Sequence, residues 1–268
     1  MGFETTYITP DIKLSVYTGP GYTTEVIFEH HMLVWFMSGE TRIVRSEGSY
    51  VFGPGDIFLI PRHQIATIIS TVRDGHPHRS VVMHLTPARL RAFYADQRPV
   101  RAPWAAQEIL RFGKHPLLES CLSSLMPYFD LSDAFPESIA TLKITEAIQV
   151  LRTIDPSIDG ILANFEEPGK IDLAAFMEKN FIFNLPLGRF ATLTGRSLST
   201  FSRDFKRIFH TTPQKWLTQK RLEYAHYQIS EQKKKPVDVY LEVGFVDLSH
   251  FSFAFKKRFG YSPAEVPS

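Results

Sequence analysis

The strongest constraint on this chain is a pattern that occurs twice near its C-terminus. Ser199-Thr200-Phe201-Ser202-Arg203-Asp204-Phe205-Lys206-Arg207-Ile208-Phe209 leads to Pro213, and Ser249-His250-Phe251-Ser252-Phe253-Ala254-Phe255-Lys256-Lys257-Arg258-Phe259 leads to Pro263. Ser199/Ser249, Phe201/Phe251, Ser202/Ser252, Phe205/Phe255, Lys206/Lys256, Phe209/Phe259 and Pro213/Pro263 pair at a constant offset of 50. Leu198, Phe201, Phe205 and Ile208/Phe209 recur at helical period and predict one apolar face. The other face is short, polar and cationic. Before each copy a short apolar segment ends in glycine: Leu187, Phe190, Ala191 and Leu193 before Gly195, and Val239, Leu241 and Val243 before Gly244. Helix, glycine-containing turn, helix describes a helix-turn-helix. Two copies are too few for a solenoid, which needs at least three repeats to bury its faces. The competing reading is a pair of amphipathic hairpins in an all-α core with solvated charges.

Charge separates these possibilities further. The chain carries a net charge of +2, but residues 168–268 hold 16 Lys+Arg against 9 Asp+Glu, while residues 1–167 hold 14 against 19. A basic module tied to an acidic one suits binding of a polyanion by one part only. The 44% apolar content is that of an ordinary globular protein. No apolar run approaches the roughly 18–20 residues of a membrane span, and no secretory signal is visible, so a soluble, cytoplasmic protein without membrane contact is expected. The single cysteine, Cys121, excludes an internal disulfide and any cysteine-cluster metal site.

The two copies are joined by Thr212-Pro213-Gln214-Lys215-Trp216-Leu217-Thr218-Gln219-Lys220-Arg221-Leu222-Glu223-Tyr224-Ala225. Two units so joined closely resemble the DNA-binding domain of AraC/XylS transcription regulators. The second copy, from Val237 to Gly244-Phe245 and on to Gly260-Tyr261-Ser262-Pro263, looks like that family's signature. The resemblance covers about 100 C-terminal residues and implies a DNA-binding transcription regulator. Members of the family activate, for the most part, by contacting RNA polymerase, so activation is expected over repression.

Residues 1 to about 85 read as strands. Tyr7–Ile8, Leu14–Tyr17, Val26–Phe28, Leu33–Met37, Thr41–Val44, Tyr50–Phe52, Ile57–Ile60, Ile65–Ile69 and Val81–Leu85 alternate with Gly, Pro, Ser and Asp turn signals. Such punctuation predicts an antiparallel barrel or sandwich. Phe36-Met37-Ser38-Gly39-Glu40 and Gly53-Pro54-Gly55-Asp56-Ile57-Phe58-Leu59-Ile60-Pro61 look like the two turns of a cupin-type jelly roll, which the family resemblance also implies. Metal-binding cupins need converging histidines and a glutamate. Here His30 and His31 are adjacent and point to opposite faces, and His63, His76, His78 and His84 have no spacing that closes a site. Neither a metal nor any other cofactor is expected. Trp35, Phe36, Tyr50, Phe52, Phe58, Arg62 and His63 are candidates to line an effector pocket, or else to fill a solid core.

Thr86-Pro87 opens a short capped helix, and 116–129, 137–151 and 157–165 follow as helices. Leu118, Leu122 and Leu125 form a stripe in the region where the resembled family dimerises; they either mediate a homodimer or pack on the barrel. Cys121 on that face is a core filler. Glu166-Glu167-Pro168-Gly169-Lys170 reads as a linker. The expected organisation is 1–112 as a cupin-like sensing or partner domain, 113–167 as dimerisation helices and linker, and 168–268 as the bipartite DNA-binding domain. The fold class is α+β, a cupin-like β-barrel plus helices followed by an all-α domain.

Base-edge contacts specify sequence and phosphate contacts position the protein. On the exposed face of the first copy the base-reading candidates are Ser199, Thr200, Ser202 and Arg203, of which Arg203 suits guanine. In the second copy they are Ser249, His250, Ser252 and Phe253, with Leu248 beside them. Phe253 departs from the arginine common in the family; it cannot hydrogen-bond a base but can pack on a thymine methyl, so weaker base readout is expected there. Lys206, Arg207, Lys215, Lys256, Lys257 and Arg258 are the phosphate candidates. Lys220 and the loop run Lys233-Lys234-Lys235 could add to them, though a solvated loop suits the run better. Arg221 is expected to bridge the two units structurally. The input to the N-terminal domain is a small molecule or a regulatory protein; the order of parts is also similar to regulators of type III secretion, some of which respond to a protein. The alternative is a metal-independent cupin-type ligand-binding or enzyme domain fused to a DNA-binding module.

Overall fold

All nine strand runs predicted within the first 85 residues form strands, arranged as two antiparallel sheets. The computed structural model describes residues 3–45, 48–71, 77–100, 108–130, 136–165 and 170–266. The chain divides into two compact units, 1–166 and 167–268; most of the expected linker, residues 166–169, lies outside the described residues, as does His76.

In the first unit the strands are β1 (Phe3–Thr9), β2 (Ile12–Tyr17), β3 (Gly21–Phe28), β4 (His31–Ser38), β5 (Glu40–Arg45), β6 (Gly48–Phe52), β7 (Ile57–Ile60), β8 (Gln64–Thr71), β9 (His78–Leu85) and β10 (Leu110–Gly113). One sheet has the order β1-β2-β9-β4-β7-β10 and the other β3-β8-β5-β6, so the architecture is two facing sheets rather than one closed barrel. The two cupin-like turns are tied together: Phe36 N donates to Asp56 O at 2.9 Å and Gly55 N to Phe36 O at 2.7 Å. Gly55 sits at φ +89, where a side chain would be strained.

The larger sheet is buried on both faces. Val34, Phe36, Phe58, Ile60 and Val82 face the smaller sheet, while Leu33, Trp35, Ile57, Leu59, Val81, Met83 and Leu85 pack against helices. These strands therefore carry continuous apolar runs instead of an alternating pattern. The helices are α1 (Pro87–Ala95), α2 (Pro116–Ser123), α3 (Met126–Phe129), α4 (Glu137–Ile154) and α5 (Asp159–Leu162). The single helix predicted over residues 116–129 is split before Pro127, which cannot donate to the preceding turn. Residues 157–165 form only a 3-10 turn and the four-residue α5.

Leu118, Leu122 and Leu125 are each 0% exposed in the same core cluster as Ile144, Ala147, Ile148 and Leu151 of α4. The candidate dimerisation stripe is thus used up inside the unit, and residues 113–166 belong to the same compact body as the sheets. Cys121 fills this core beside them, and burial pushes its thiol up to about 12. Asp159 ties α1, the segment after it and α4 together: it accepts from Arg152 Nε at 2.8 Å, Tyr94 OH at 2.5 Å and Val100 N at 2.8 Å.

The second unit is all helical: α6 (Leu173–Asn180), α7 (Leu187–Leu193), α8 (Leu198–Phe209), α9 (Pro213–Ser230), α10 (Pro236–Glu242) and α11 (Leu248–Phe259). No helix among the described residues is long and apolar enough to cross a membrane.

Candidate nucleic-acid interface

α8 and α11 are built alike. Ser197 accepts from Thr200 N and caps α8; Asp247 accepts from His250 N and caps α11, each satisfying an otherwise unpaired donor of the first turn. Both helices end on a left-handed residue, His210 at φ 56 and Gly260 at φ 89. Phe201, Phe205, Phe251 and Phe255 are completely buried, and residues 201–210 and 251–260 share one burial pattern position by position. The apolar face is narrower than the spacing suggests. Leu198 is 51% exposed and Ile208 39%, leaving Phe201, Phe205 and Phe209 as the packed ridge.

The two copies are not related by one offset throughout. α7 and α10 correspond at 49 residues, so that Phe190/Val239, Thr194/Val243 and Gly195/Gly244 match. The second turn is therefore one residue longer, and the extra residue, Phe245, is buried against Phe251 at 5.2 Å between ring centres. Leu241, expected on the apolar face of that segment, points outward instead; Val239 and Val243 are the buried pair.

α9 serves both copies. At its start Trp216 packs on Phe205 and Phe209, with ring centres 5.6 and 4.8 Å away. Ten residues on, His226 does the same for the second copy, 6.0 and 4.7 Å from Phe255 and Phe259, and its Nε2 lies 2.8 Å from Tyr261 OH. Between them Arg221 is buried and bridges the two halves as expected: Nε donates to Phe181 O at 2.7 Å, Nη2 to Phe183 O at 2.8 Å, and Nη1 to Gly244 O at 3.2 Å. Gly244 is at φ +83, and a Cβ there would stand 2.4 Å from Ile182 O.

On the outer face Ser199 and Arg203 are exposed, with Thr200 and Ser202 half-buried beside them. No ion-pair or hydrogen-bond partner engages the Arg203 guanidinium among the described residues, so its donors face solvent. In α11 Ser249 and His250 are exposed, Ser252 is half-buried, and Phe253 is 68% exposed. Lys206, Lys215, Lys256 and Lys257 are exposed as well. Arg207 reaches Asp204 at 3.7 Å and Arg258 reaches Glu223 at 3.3 Å. Lys220 is held by Glu178 at 2.8 Å, and Lys234 of the lysine run by Glu242 at 2.6 Å.

Two features of this face do not follow from the sequence pattern. Arg196 braces the first copy, pairing with Asp204 at 3.1 Å and donating to Thr194 O and Ile171 O. Its counterpart Val246 is 75% exposed.

The first unit holds a cavity of about 550 Å³ between its sheets. Of the candidate pocket residues only Phe36 and Phe58 line it. Trp35 points to the helical side of its sheet. Phe52 is buried behind Phe58, their ring centres 3.7 Å apart, and Tyr50 stacks on Phe52 at 6.5 Å. Arg62 turns away to donate to Asn164 O, and His63 occupies a left-handed turn at φ 63. The lining includes Val26, Phe28, Val34, Ile43, Ile68 and Val82, with Lys13, Glu29, His30 and His84 toward one end and Thr41, Ser70 and His78 toward the other. Burial lowers the Lys13 ammonium, and no carboxylate among the described residues pairs with it. Burial also pushes His78 and His84 down to about 4 and His31 to about 3, so all three are neutral near pH 7. His31 Nδ1 accepts from Arg62 N at 3.1 Å. No three His, Cys, Asp or Glu side chains converge among the described residues.

Two family models match the chain, one within each unit. A helix-turn-helix domain model matches residues 190–267, and an ExsA N-terminal regulatory domain model matches 31–155. The HTH-type transcriptional regulator ExsA of Pseudomonas aeruginosa is 25% identical over 235 residues, which is 85% of this chain and 82% of that one. The virulence regulon transcriptional activator VirF of Yersinia enterocolitica is 30% identical over 163 residues, 59% of each chain. Among solved structures, an apo form of ToxT from Vibrio cholerae aligns over 96% of this chain and 97% of its own, with 14% identity and a TM-score of 0.47. From the duplicated helix-turn-helix and the matching models on both units, the chain belongs to the AraC family of DNA-binding transcription regulators.

Proposed function

We propose that this regulator is an activator that reads a two-part DNA site, one half with each recognition helix, and contacts RNA polymerase when bound. The observation that carries the reading is the shared outer face of α8 and α11: a side-chain cap at the same place, the same burial pattern, exposed cations on the last turns. Recognition helices of this class lie in the major groove, and two of them fixed on one scaffold engage successive grooves about 34 Å apart. Ser199, Thr200, Ser202 and Arg203 face the bases of one half, and Ser249, His250, Ser252 and Phe253 those of the other. Arg203 donates two parallel hydrogen bonds to guanine O6 and N7, which discriminates by about 1–3 kcal/mol. Lys206, Arg207, Lys215, Lys256, Lys257 and Arg258 neutralise phosphates, so affinity falls steeply with salt. Activation is supported by the VirF likeness, whose name carries that role. Selection of bound duplexes from a random pool, at defined salt, tests the reading. A site of two halves one turn apart is expected; a pool that never enriches would overturn it.

Control through the first unit by a small molecule is favoured by Lys13. The half-buried Lys13 ammonium shares this lining with Glu29 but makes no ion pair among the described residues, so an arriving anion would satisfy it; the effector carries an acidic group on an apolar body. Carboxylates of graded length should raise the melting temperature of the wild type and leave Lys13→Met unmoved. If none does, the first unit answers to a protein.

A further inference from the structure

Three positions that are charged in the first copy are apolar in the second. Arg196, Arg203 and Asp204 become Val246, Phe253 and Ala254 at the common offset of 50. In the first copy Arg196 and Asp204 pair across the start of α8, and Arg203 stands beside them with its donors free. In the second copy the pair is gone, Ala254 is partly buried against the core, and Val246 and Phe253 are left 75% and 68% exposed. A folded chain does not gain by holding a phenyl ring in water. Neither residue joins the buried cluster of Phe245, Phe251 and Phe255 beneath α11, so packing does not explain them. The ring stands on the face that Lys256 and Lys257 carry toward phosphates, where the first copy has its free guanidinium.

Resting on the DNA-binding reading above, we propose that Phe253 makes the second recognition helix a reader of the pyrimidine C5-methyl group. A phenyl ring offers no hydrogen-bonding atom to distinguish thymine O4 from the cytosine amino group. It answers only to the apolar group that both thymine and 5-methylcytosine project into the major groove. The second half-site is therefore specified by a methyl, and cytosine C5 methylation at that position tunes binding as thymine does.

The test is a four-way exchange at each pyrimidine of the second half of the selected site, using the full chain. Thymine, uracil, cytosine and 5-methylcytosine are placed in turn, each opposite its proper partner. At one position the wild type should bind thymine and 5-methylcytosine alike, and each about fourfold tighter than its unmethylated counterpart, the factor for burying one methyl-sized group. Phe253→Ala should erase both differences while keeping the wild-type melting temperature, since the ring is not part of the core. Uracil bound as well as thymine at every position would overturn the proposal. So would 5-methylcytosine bound no better than cytosine, or a methyl preference that survives in Phe253→Ala, which would put another group or a protein partner at this face. A chain that selects no duplex sinks the DNA-binding reading itself; a chain that selects a site and ignores the methyl sinks only this one.

Discussion

Replacing Arg221 with Met removes the guanidinium and keeps the buried stem. The side chain donates to three main-chain carbonyls, those of Phe181, Phe183 and Gly244, at 2.7, 2.8 and 3.2 Å. Two precede the first helix-turn-helix and the third sits in the turn of the second, so one residue fixes both halves on α9. Hydrogen bonds to a charged group contribute about 1.5–3 kcal/mol each. The three are not additive, because water reaches some of the released carbonyls, and a net loss of about 3–5 kcal/mol is expected. For a unit of about 100 residues each kcal/mol moves the midpoint by about 4–8 °C, so Arg221→Met should melt roughly 12 °C or more below wild type. Far-UV circular dichroism of the full chain follows the transition of the helical unit. DNA footprints should show one half-site protected and the other lost before the melt begins. A variant melting within about 4 °C of wild type, the shift of a single kcal/mol, would refute the bridging argument.

Gly244→Ala forces a Cβ to 2.4 Å from Ile182 O at φ +83, and should cost roughly 2–4 kcal/mol. Gly260→Ala shares the positive φ but meets nothing within 4 Å, so about 1 kcal/mol is expected; equal losses in the two melts would contradict this. Arg203→Ala should weaken binding to a selected site by about 1–3 kcal/mol and relax preference at one base pair, with an unchanged melting temperature. Lys206→Ala should weaken all duplexes alike and lower the salt slope by about 0.9, as read from affinities at three salt concentrations. His31, His78 and His84 are held neutral in the fold, at about 3, 4 and 4, while the unfolded chain takes up protons near 6.5. The first unit should therefore be most stable above pH 6.5 and lose stability as pH falls from 6.5 toward 4; a flat melting temperature across that window would show that these rings titrate normally.

Much of the architecture is legible because burial on both sides leaves a plain mark. β7, Ile57-Phe58-Leu59-Ile60, is buried at every position and reads as a strand from its apolar run alone. β10 escapes such a reading because four residues pairing with a distant strand carry no local signal. The same two-sided burial hides the cavity. With both faces of β4 apolar, no alternation tells Trp35, on the helical side, from Phe36, on the cavity side. The Leu118, Leu122 and Leu125 stripe announces a buried face but not its partner, which is α4 of the same unit. In the helical unit the repeat supplies the alignment, and the exposed faces of α8 and α11 follow from it. What a repeat cannot announce is where its copies differ in length, and Phe245 is such a residue.

The different props beneath the two recognition helices give the helical unit a built-in optical label. Trp216 is the sole tryptophan of residues 167–268, and it stacks under α8 only; α11 rests on His226, which does not emit. With Trp35 and Trp104 exchanged for Phe, tryptophan emission, excited selectively over tyrosine, would come from beneath the first copy alone. Stopped-flow mixing with half-sites could then time the engagement of one copy separately from the other, without any attached dye.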